Sequence, residues 1–237
     1  ISITARSAGT DMSGGPLNTS IILNMTRYME GNIEIVGNTV SVLPGTLYRV
    51  LDKKTKGHNL ELPSYTASRE LCTVGGMVAN NSGGEKHLKY GKTDKYVESL
   101  EVVLSDGNQY TLKAWSGDEL RSVLSGTTFL SECARKVSEL VQKNTSTISS
   151  GKPSVRKNSS GYALWDIGDG VNSLNLARLF TGSQGTLGII TNITFSLIQP
   201  KPYAAMTVIF SNSIDDIGML VDTVLHHNPD SFESYDD

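Results

Sequence analysis

Residues 72–91 read CTVGGMVANNSGGEKHLKYG: two Gly-Gly pairs, two adjacent asparagines, a threonine and a serine, with almost no apolar period. Bare backbone in mid-chain marks a segment that passes close to something else. Glycine lets backbone approach a ligand and take positive φ, and Ser and Thr hydroxyls add donors without bulk. Two further segments share this make, ARSAGTDMSGG at 5–15 and TGSQGTLGII at 181–190. Each begins beside an expected strand, so consecutive N–H groups are expected to converge on an anion, and a phosphate ligand fits that chemistry. Any one of the three also reads as an ordinary turn; three of similar make in one chain favour a binding role.

Several function classes are excluded or weakened. No segment ends in the Gly-Lys-Ser/Thr of a nucleoside-triphosphate loop, and none gives dinucleotide glycine spacing followed by a helix and an acidic residue. The stretch GSQG lacks the spacing of a Gly-x-Ser-x-Gly nucleophile elbow. The histidines, His58, His87, His226 and His227, have no Cys or His partners at metal-ligand spacing. With 21 Lys and Arg against 24 Asp and Glu, the net charge of −3 gives no basic footprint for nucleic acid or an anionic membrane. No signal peptide and no bilayer-length apolar run is present, so the reading is a cytoplasmic protein without a membrane segment. Cys72 and Cys133 read as two reduced thiols in unrelated contexts.

A chain of 237 residues can bury a core without disulfide or metal staples. Alternating runs at 1–6, 20–25, 32–37 and 39–45 are expected strands with tight connections. From Thr46, a helix is expected with Thr46 as cap, Leu47, Val50 and Leu51 on one face and Gly57 at its end, followed by a strand NLELP. Residues 96–112 read as two strands around Asp106-Gly107, a hairpin signal. Residues 116–126 and 128–144 are amphipathic, with Phe129, Cys133, Val137 and Leu140 on one stripe and Cys133 a core residue. A polar region spans 144–161. Beyond the prolines of QPKPY, residues 204–210 and 213–228 read as a strand and a helix, with His226-His227 a solvated end.

Taken in order, ARSAGTDMSGG, the run from PGTLYRVL to HLKYGKT, VESLEVVLSDG, KNSSGYAL and LFTGSQGTLGIIT resemble the flavin domain of the vanillyl-alcohol-oxidase-type flavoproteins. Within that superfamily the chain is most similar to the D-lactate dehydrogenases and the glycolate oxidase flavin subunit. The resemblance covers nearly the whole chain. It implies an α+β, PCMH-type FAD-binding fold of two α+β subdomains over residues 1–200, divided near 93–95, with 201–237 the start of a substrate or cap domain. It implies a first pyrophosphate loop of Arg6, Ser7, Ala8, Gly9, Thr10 and Asp11. The second loop, along pyrophosphate and flavin, would be Ser68, Thr73, Gly75, Gly76, Asn80, Ser82 and Gly83. The third would be Gly185, Thr186, Gly188 and Ile190. Ser7 stands where the family often has Gly, and Gln184 where it often has Glu; neither removes a backbone donor. Asp11 would repel a pyrophosphate unless it points away. No histidine matches a covalent attachment site, so the FAD is expected to be noncovalent. Cys72 falls inside the second loop's motif and is expected to be a small buried residue.

The resemblance further implies oxidation of a small 2-hydroxy acid by hydride transfer to flavin N5, with electrons passing to an unidentified acceptor. The chemistry would be the flavin's, and this domain would bind, orient and tune it. Family members begin with a further strand and helix and continue into a substrate cap and a His-containing region with the base and metal ligands. The chain is therefore expected to be a fragment, not active alone. Lys89 and Tyr90 are the candidates nearest the ring. The alternatives are a flavin-binding module without turnover, or another superfamily member such as an aryl-alcohol oxidase or ether-lipid synthase.

Overall fold

The computed structural model describes residues 2–155 and 157–235; Ile1 of the first expected strand and the last two aspartates of SFESYDD lie outside them. Strands β1 (Ile3–Arg6) and β2 (Ile21–Asn24) pair in parallel as a small sheet of their own. Six others, β3 (Glu34–Val36), β4 (Thr39–Val42), β5 (Val97–Val103), β6 (Gln109–Ser116), β7 (Ser173–Asn175) and β8 (Ile189–Ser196), form one antiparallel sheet in the order β3-β4-β8-β5-β6-β7. The last strand in the chain thus sits at the centre, between β4 and β5.

Alternation explains the register. Val42, Ile193, Leu100 and Leu112 are direct cross-strand partners on β4, β8, β5 and β6, and all four are fully buried. Val40 faces Phe195 one pair away, also buried. A period-2 sequence puts such residues on one face, and their cross-strand contacts hold the sheet. The Asp106-Gly107 hairpin forms as expected: Gly107 takes φ +81°, its N–H donates to the Leu104 carbonyl at 3.0 Å, and Asp106 accepts from the Asn108 N–H at 3.1 Å.

Helices α1 (Tyr48–Lys56), α2 (Val74–Asn80) and the short α3 (His87–Tyr90) lie between β4 and β5. Helix α1 ends at Gly57 as expected, but Thr46 does not cap it: the cap is Leu47, while the Thr46 hydroxyl accepts from the Gly31 N–H at 2.8 Å. Its buried face is Tyr48, Leu51 and Thr55, with Val50 exposed. NLELP is not a strand; only Glu61 pairs, exchanging two backbone bonds with Ile198. The largest correction concerns residues 74–80, where the glycine-rich segment with no apolar period is a helix.

Helices α4 (Gly117–Ser125), α5 (Phe129–Lys143) and α6 (Thr145–Ser150) follow, so part of the expected polar region is helical. Helix α5 buries Ser131, Ala134, Ser138 and Val141, leaving Leu140 exposed and Cys133 only partly covered. Close backbone approach selects that small-residue face: a Cβ on Gly170 would lie 2.8 Å from the Ser138 carbonyl oxygen, and Ser138 Oγ donates to the Gly170 carbonyl. Helix α7 (Leu176–Phe180) packs on β5 and β6. Residues 204–210 form no strand and expose Met206, Val208 and Phe210, whereas α8 (Ile217–Leu225) forms within the expected helix and His226 ends it. A strand needs an edge to pair with, and none among the described residues takes this segment.

Phe195 tests the sheet's centre. Phe195→Ala is expected to lower unfolding free energy by about 3–5 kcal/mol, read as a lower urea midpoint at unchanged slope.

Candidate functional site

Helix α2 is held from outside at both ends. At its start Thr73 is the cap, its Oγ1 accepting from the Gly76 N–H at 3.3 Å. The Val74 N–H donates to the Thr46 carbonyl at 2.9 Å and the Gly75 N–H to the Pro44 carbonyl at 2.8 Å. These three N–H groups are therefore occupied within the protein and are not free for an anion, whereas those of Gly83 and Gly84 further along the segment have no acceptor among the described residues. Its glycines serve space instead. A Cβ on Gly75 would lie 2.6 Å from Pro44 Cβ, and one on Gly76 would meet the Ser7 side chain at 3.2 Å.

At the other end Asn81 adopts the left-handed conformation, φ +46°, and is buried. Its side chain donates to Asp94 Oδ2 at 2.8 Å and accepts from the Asp94 N–H at 3.0 Å, and its carbonyl accepts from Ser159 Oγ at 2.9 Å. The third glycine segment closes the helix end: the Gly182 N–H donates to the Val78 carbonyl and the Gln184 N–H to the Ala79 carbonyl, both at 2.9 Å. Gln184 Nε2 also donates to Asn80 Oδ1 at 3.0 Å.

These ties bring the three segments to one cavity of about 610 Å³. Of the first loop, Ser7, Gly9, Thr10 and Asp11 line it, and Arg6 and Ala8 do not. Arg6 packs over Gly9, where a Cβ would fall 2.8 Å from its Nη2. Of the second, Ser68, Thr73, Gly75, Gly76, Asn80, Ser82 and Gly83 all line the cavity. Of the third, Gly185, Gly188 and Ile190 do; Thr186 does not, its hydroxyl lying 2.6 Å from the Ser183 carbonyl and 2.8 Å from the Tyr162 hydroxyl.

Open donors come from all three loops: the N–H groups of Gly9, Thr10, Asp11, Gly83 and Gly185 have no acceptor among the described residues. Gly9 and Gly185 both hold positive φ, +71° and +77°, which keeps those turns sharp. Asp11 folds back onto its own loop, accepting from Ser13 Oγ at 2.7 Å and the Ser13 N–H at 3.0 Å, and these bonds hold its carboxyl below the usual range. Sequence reading missed Pro44, Thr66, Lys157 and Ser159 on the wall. Lys157 adds a cation; its position just before NSSG, a hydroxyl and glycine run like the other loops, was the available signal.

The remaining candidates fall elsewhere. Cys72 lines the cavity, and burial pushes its thiol up, so it stays protonated. Lys89 and Tyr90 are not on the wall: Lys89 Nζ pairs with Asp230 at 2.8 Å and the Tyr90 hydroxyl donates to the same carboxylate at 3.3 Å. Among the described residues no group of three or more His, Cys, Asp or Glu could hold a metal ion, and no helix is long and apolar enough to cross a membrane.

Residues 1–113 match the family described as FAD binding domain. The chain is 25% identical over 238 residues to D-2-hydroxyglutarate dehydrogenase of Pseudomonas putida, covering all of this chain and 24% of that protein. It is 27% identical to glycolate oxidase subunit GlcD of Escherichia coli over 95% of this chain and 35% of that one. It is 28% identical to D-lactate dehydrogenase of Archaeoglobus fulgidus over 98% of this chain and 42% of that one. The chain thus spans well under half the length of these relatives. Among solved structures, an alkyldihydroxyacetonephosphate synthase superposes with TM-score 0.51 at 19% identity, covering 83% of this chain and 29% of that one; this likeness shows the shared fold.

Asn81 carries the first test of the site's architecture. Asn81→Ala is expected to cost about 2–4 kcal/mol, from the loss of both side-chain bonds to Asp94, which keeps only Arg178 and Lys92, and from an alanine forced to positive φ. Asn81→Gly, free of the backbone strain, is expected to recover about 1 kcal/mol in the same denaturant melts. A second test concerns His87, whose imidazole is held below the usual histidine range by burial and by Lys157, Lys92 and Lys95. The unfolded chain then binds the proton first, so stability is full above the ordinary value of 6.5 and falls as pH drops below it. His87→Asn is expected to flatten that decline in melts recorded from neutral to mildly acid pH.

Proposed function

We propose, from the premise that the chain carries an FAD binding domain, that the cavity walled by the three glycine-rich segments is where FAD is held, noncovalently. The observation that supports this is the convergence of residues far apart in sequence, 7–11, 66–83 and 184–190, on one cavity of about 610 Å³. Such a volume and a lining of small residues with a few placed polar groups suit a cofactor. The residues divide the work. The N–H groups of Gly9, Thr10 and Gly185 donate to phosphate oxygens, and Lys157 supplies the counter-charge to a diphosphate. Gly76 keeps the gap to Ser7 open, Gly75 and Gly83 let the backbone pack closely behind the wall, and Thr73 and Ser82 add hydroxyls. Asp11 stays ionised on the cavity wall with its carboxylate turned onto Ser13, and Lys157 offsets its charge. Arg6, Ala8 and Thr186 act behind the wall by shaping the loops.

When bound, FAD supplies a two-electron acceptor at N5 for oxidation of a small 2-hydroxy acid, the substrate class named for the relatives from Pseudomonas putida, Escherichia coli and Archaeoglobus fulgidus. This chain's own residues bind the cofactor, orient it and exclude water from its phosphate side. Substrate binding and proton removal belong to further parts of a longer protein, and the electron acceptor is a separate partner. Lys89 and Tyr90, both held by Asp230, are not assigned to the base.

Uptake of FAD tests the reading. The purified chain mixed with FAD is expected to retain it through gel filtration, with a flavin visible spectrum, and to release it on acid precipitation. Gly76→Val pushes branched carbon against Ser7 and into the cavity, and is expected to weaken FAD binding at least tenfold while the Gly107 amide signal in the remote hairpin stays put. Equal affinity in that variant would falsify the placement. Anaerobic D-lactate, glycolate or D-2-hydroxyglutarate is expected to bleach the flavin only in a longer protein that contains this domain.

A further inference from the structure

A second cavity, about 520 Å³, shares no lining residue with the first. Its wall holds Arg178, whose side chain is only 9% exposed. Arg178 Nη2 is engaged twice, with Asp94 Oδ2 at 2.8 Å and Asp166 Oδ2 at 3.0 Å. Its Nη1 is buried and has no hydrogen-bond partner among the described residues. The same is true of His87 Nε2 on the same wall. An unpartnered guanidinium N–H in the interior is destabilising, and a guanidinium fork fits an oxyanion.

The surrounding charge has the matching sign. Lys92, Lys95, Lys152 and Arg178 line this cavity against only Asp94 and Asp166, and both carboxylates already face Arg178. Lys92 is anchored by the Asn158 carbonyl and lies 3.6 Å from Asp94, which leaves Lys95 and Lys152 as the less committed cations. Lys152 reaches Asp166 only at 3.9 Å. Trp165, Leu88 and Val155 give the remaining wall an apolar surface.

We propose that this second cavity binds a phosphate or carboxylate oxyanion, with Arg178 Nη1 and His87 Nε2 as its buried contacts and Lys95 and Lys152 as its counter-charges. The apolar wall beside them suits an oxyanion carried on a small organic body. The site has its own lining, with no residue common to the two cavities, and abuts the first where Gly83 packs against His87 and Lys92.

The test uses the chain saturated with FAD, so that the first cavity's phosphate donors are already engaged, and compares inorganic phosphate with phenyl phosphate at constant ionic strength set by chloride. Calorimetry is expected to show saturable binding at one site. The His87 imidazole nitrogen signals are expected to move, with the ring titrating at higher pH when the anion is bound, because the added negative charge offsets Lys92, Lys95 and Lys157 around it while Asp94 stays fixed. Tighter binding of phenyl phosphate assigns an organic ligand, and equal affinities assign the free anion. The double variant Lys95→Gln, Lys152→Gln, whose changes lie on the cavity rim, is expected to weaken binding at least fivefold with FAD affinity unchanged. Arg178→Lys is expected to weaken it further if it folds; the double variant carries the test if it does not. Repeating the titration in Gly76→Val without flavin keeps the result separate from the flavin assignment. Absence of saturable binding, or equal affinity in the double variant, overturns the proposal.

Discussion

Seven helical residues, Val74–Asn80, are tied at both ends to backbone from other parts of the chain, and the walls of the 610 Å³ cavity hang from those ties. A helix so short is not stable by itself, because nucleation fixes several residues for one hydrogen bond. Here the carbonyls of Pro44 and Thr46 take its first donors, and the N–H groups of Gly182 and Gln184 take up its last carbonyls. Asn81 then turns the chain sharply through positive φ while its side chain locks Asp94 by two bonds. Loosening either end would move three loops together, since each is positioned against the same short rod.

The division between space and donors follows from this. A glycine at 75 is required by contact with Pro44, so its constraint is internal packing. Glycines 9 and 185 are required by positive φ, and those turns leave backbone donors facing inward. The carboxylate of Asp11, placed where it could oppose an anionic ligand, instead fastens its own loop through Ser13. A potentially repulsive group has become a brace.

Sequence reading recovered the hairpin at Asp106-Gly107, most of the strands and the grouping of three glycine-rich segments, because each rests on local chemistry: alternation, a turn that demands glycine, or bare backbone. The helix at 74–80 was not legible. Glycine and asparagine lower helix propensity, and the bonds that hold this helix come from residues about thirty positions before it and a hundred after. The face of α5 was read only in part: Phe129 and Val137 of the apolar stripe pack against the core, but the close approaches of Gly126 to Ser131 and of Gly170 to Ser138, which favour small residues on the most buried side, are tertiary facts. The alternating run at 204–210 shows the limit of periodicity, which marks a segment able to pair without supplying a neighbour.

The central place of β8 has a consequence for how the chain comes into being. Strands β4 and β5 are complete before residue 104 but touch only through β8, which begins at Ile189. During synthesis the row Val42, Leu100 and Leu112 therefore waits, open along one side, for Ile193 and Phe195 to leave the ribosome. Long-range pairing of this kind is slow to form and leaves apolar edges uncovered meanwhile. A nascent chain stalled anywhere between the hairpin and residue 188 would carry two of the three glycine-rich walls of the cavity and no finished core behind them, a species suited to chaperone capture.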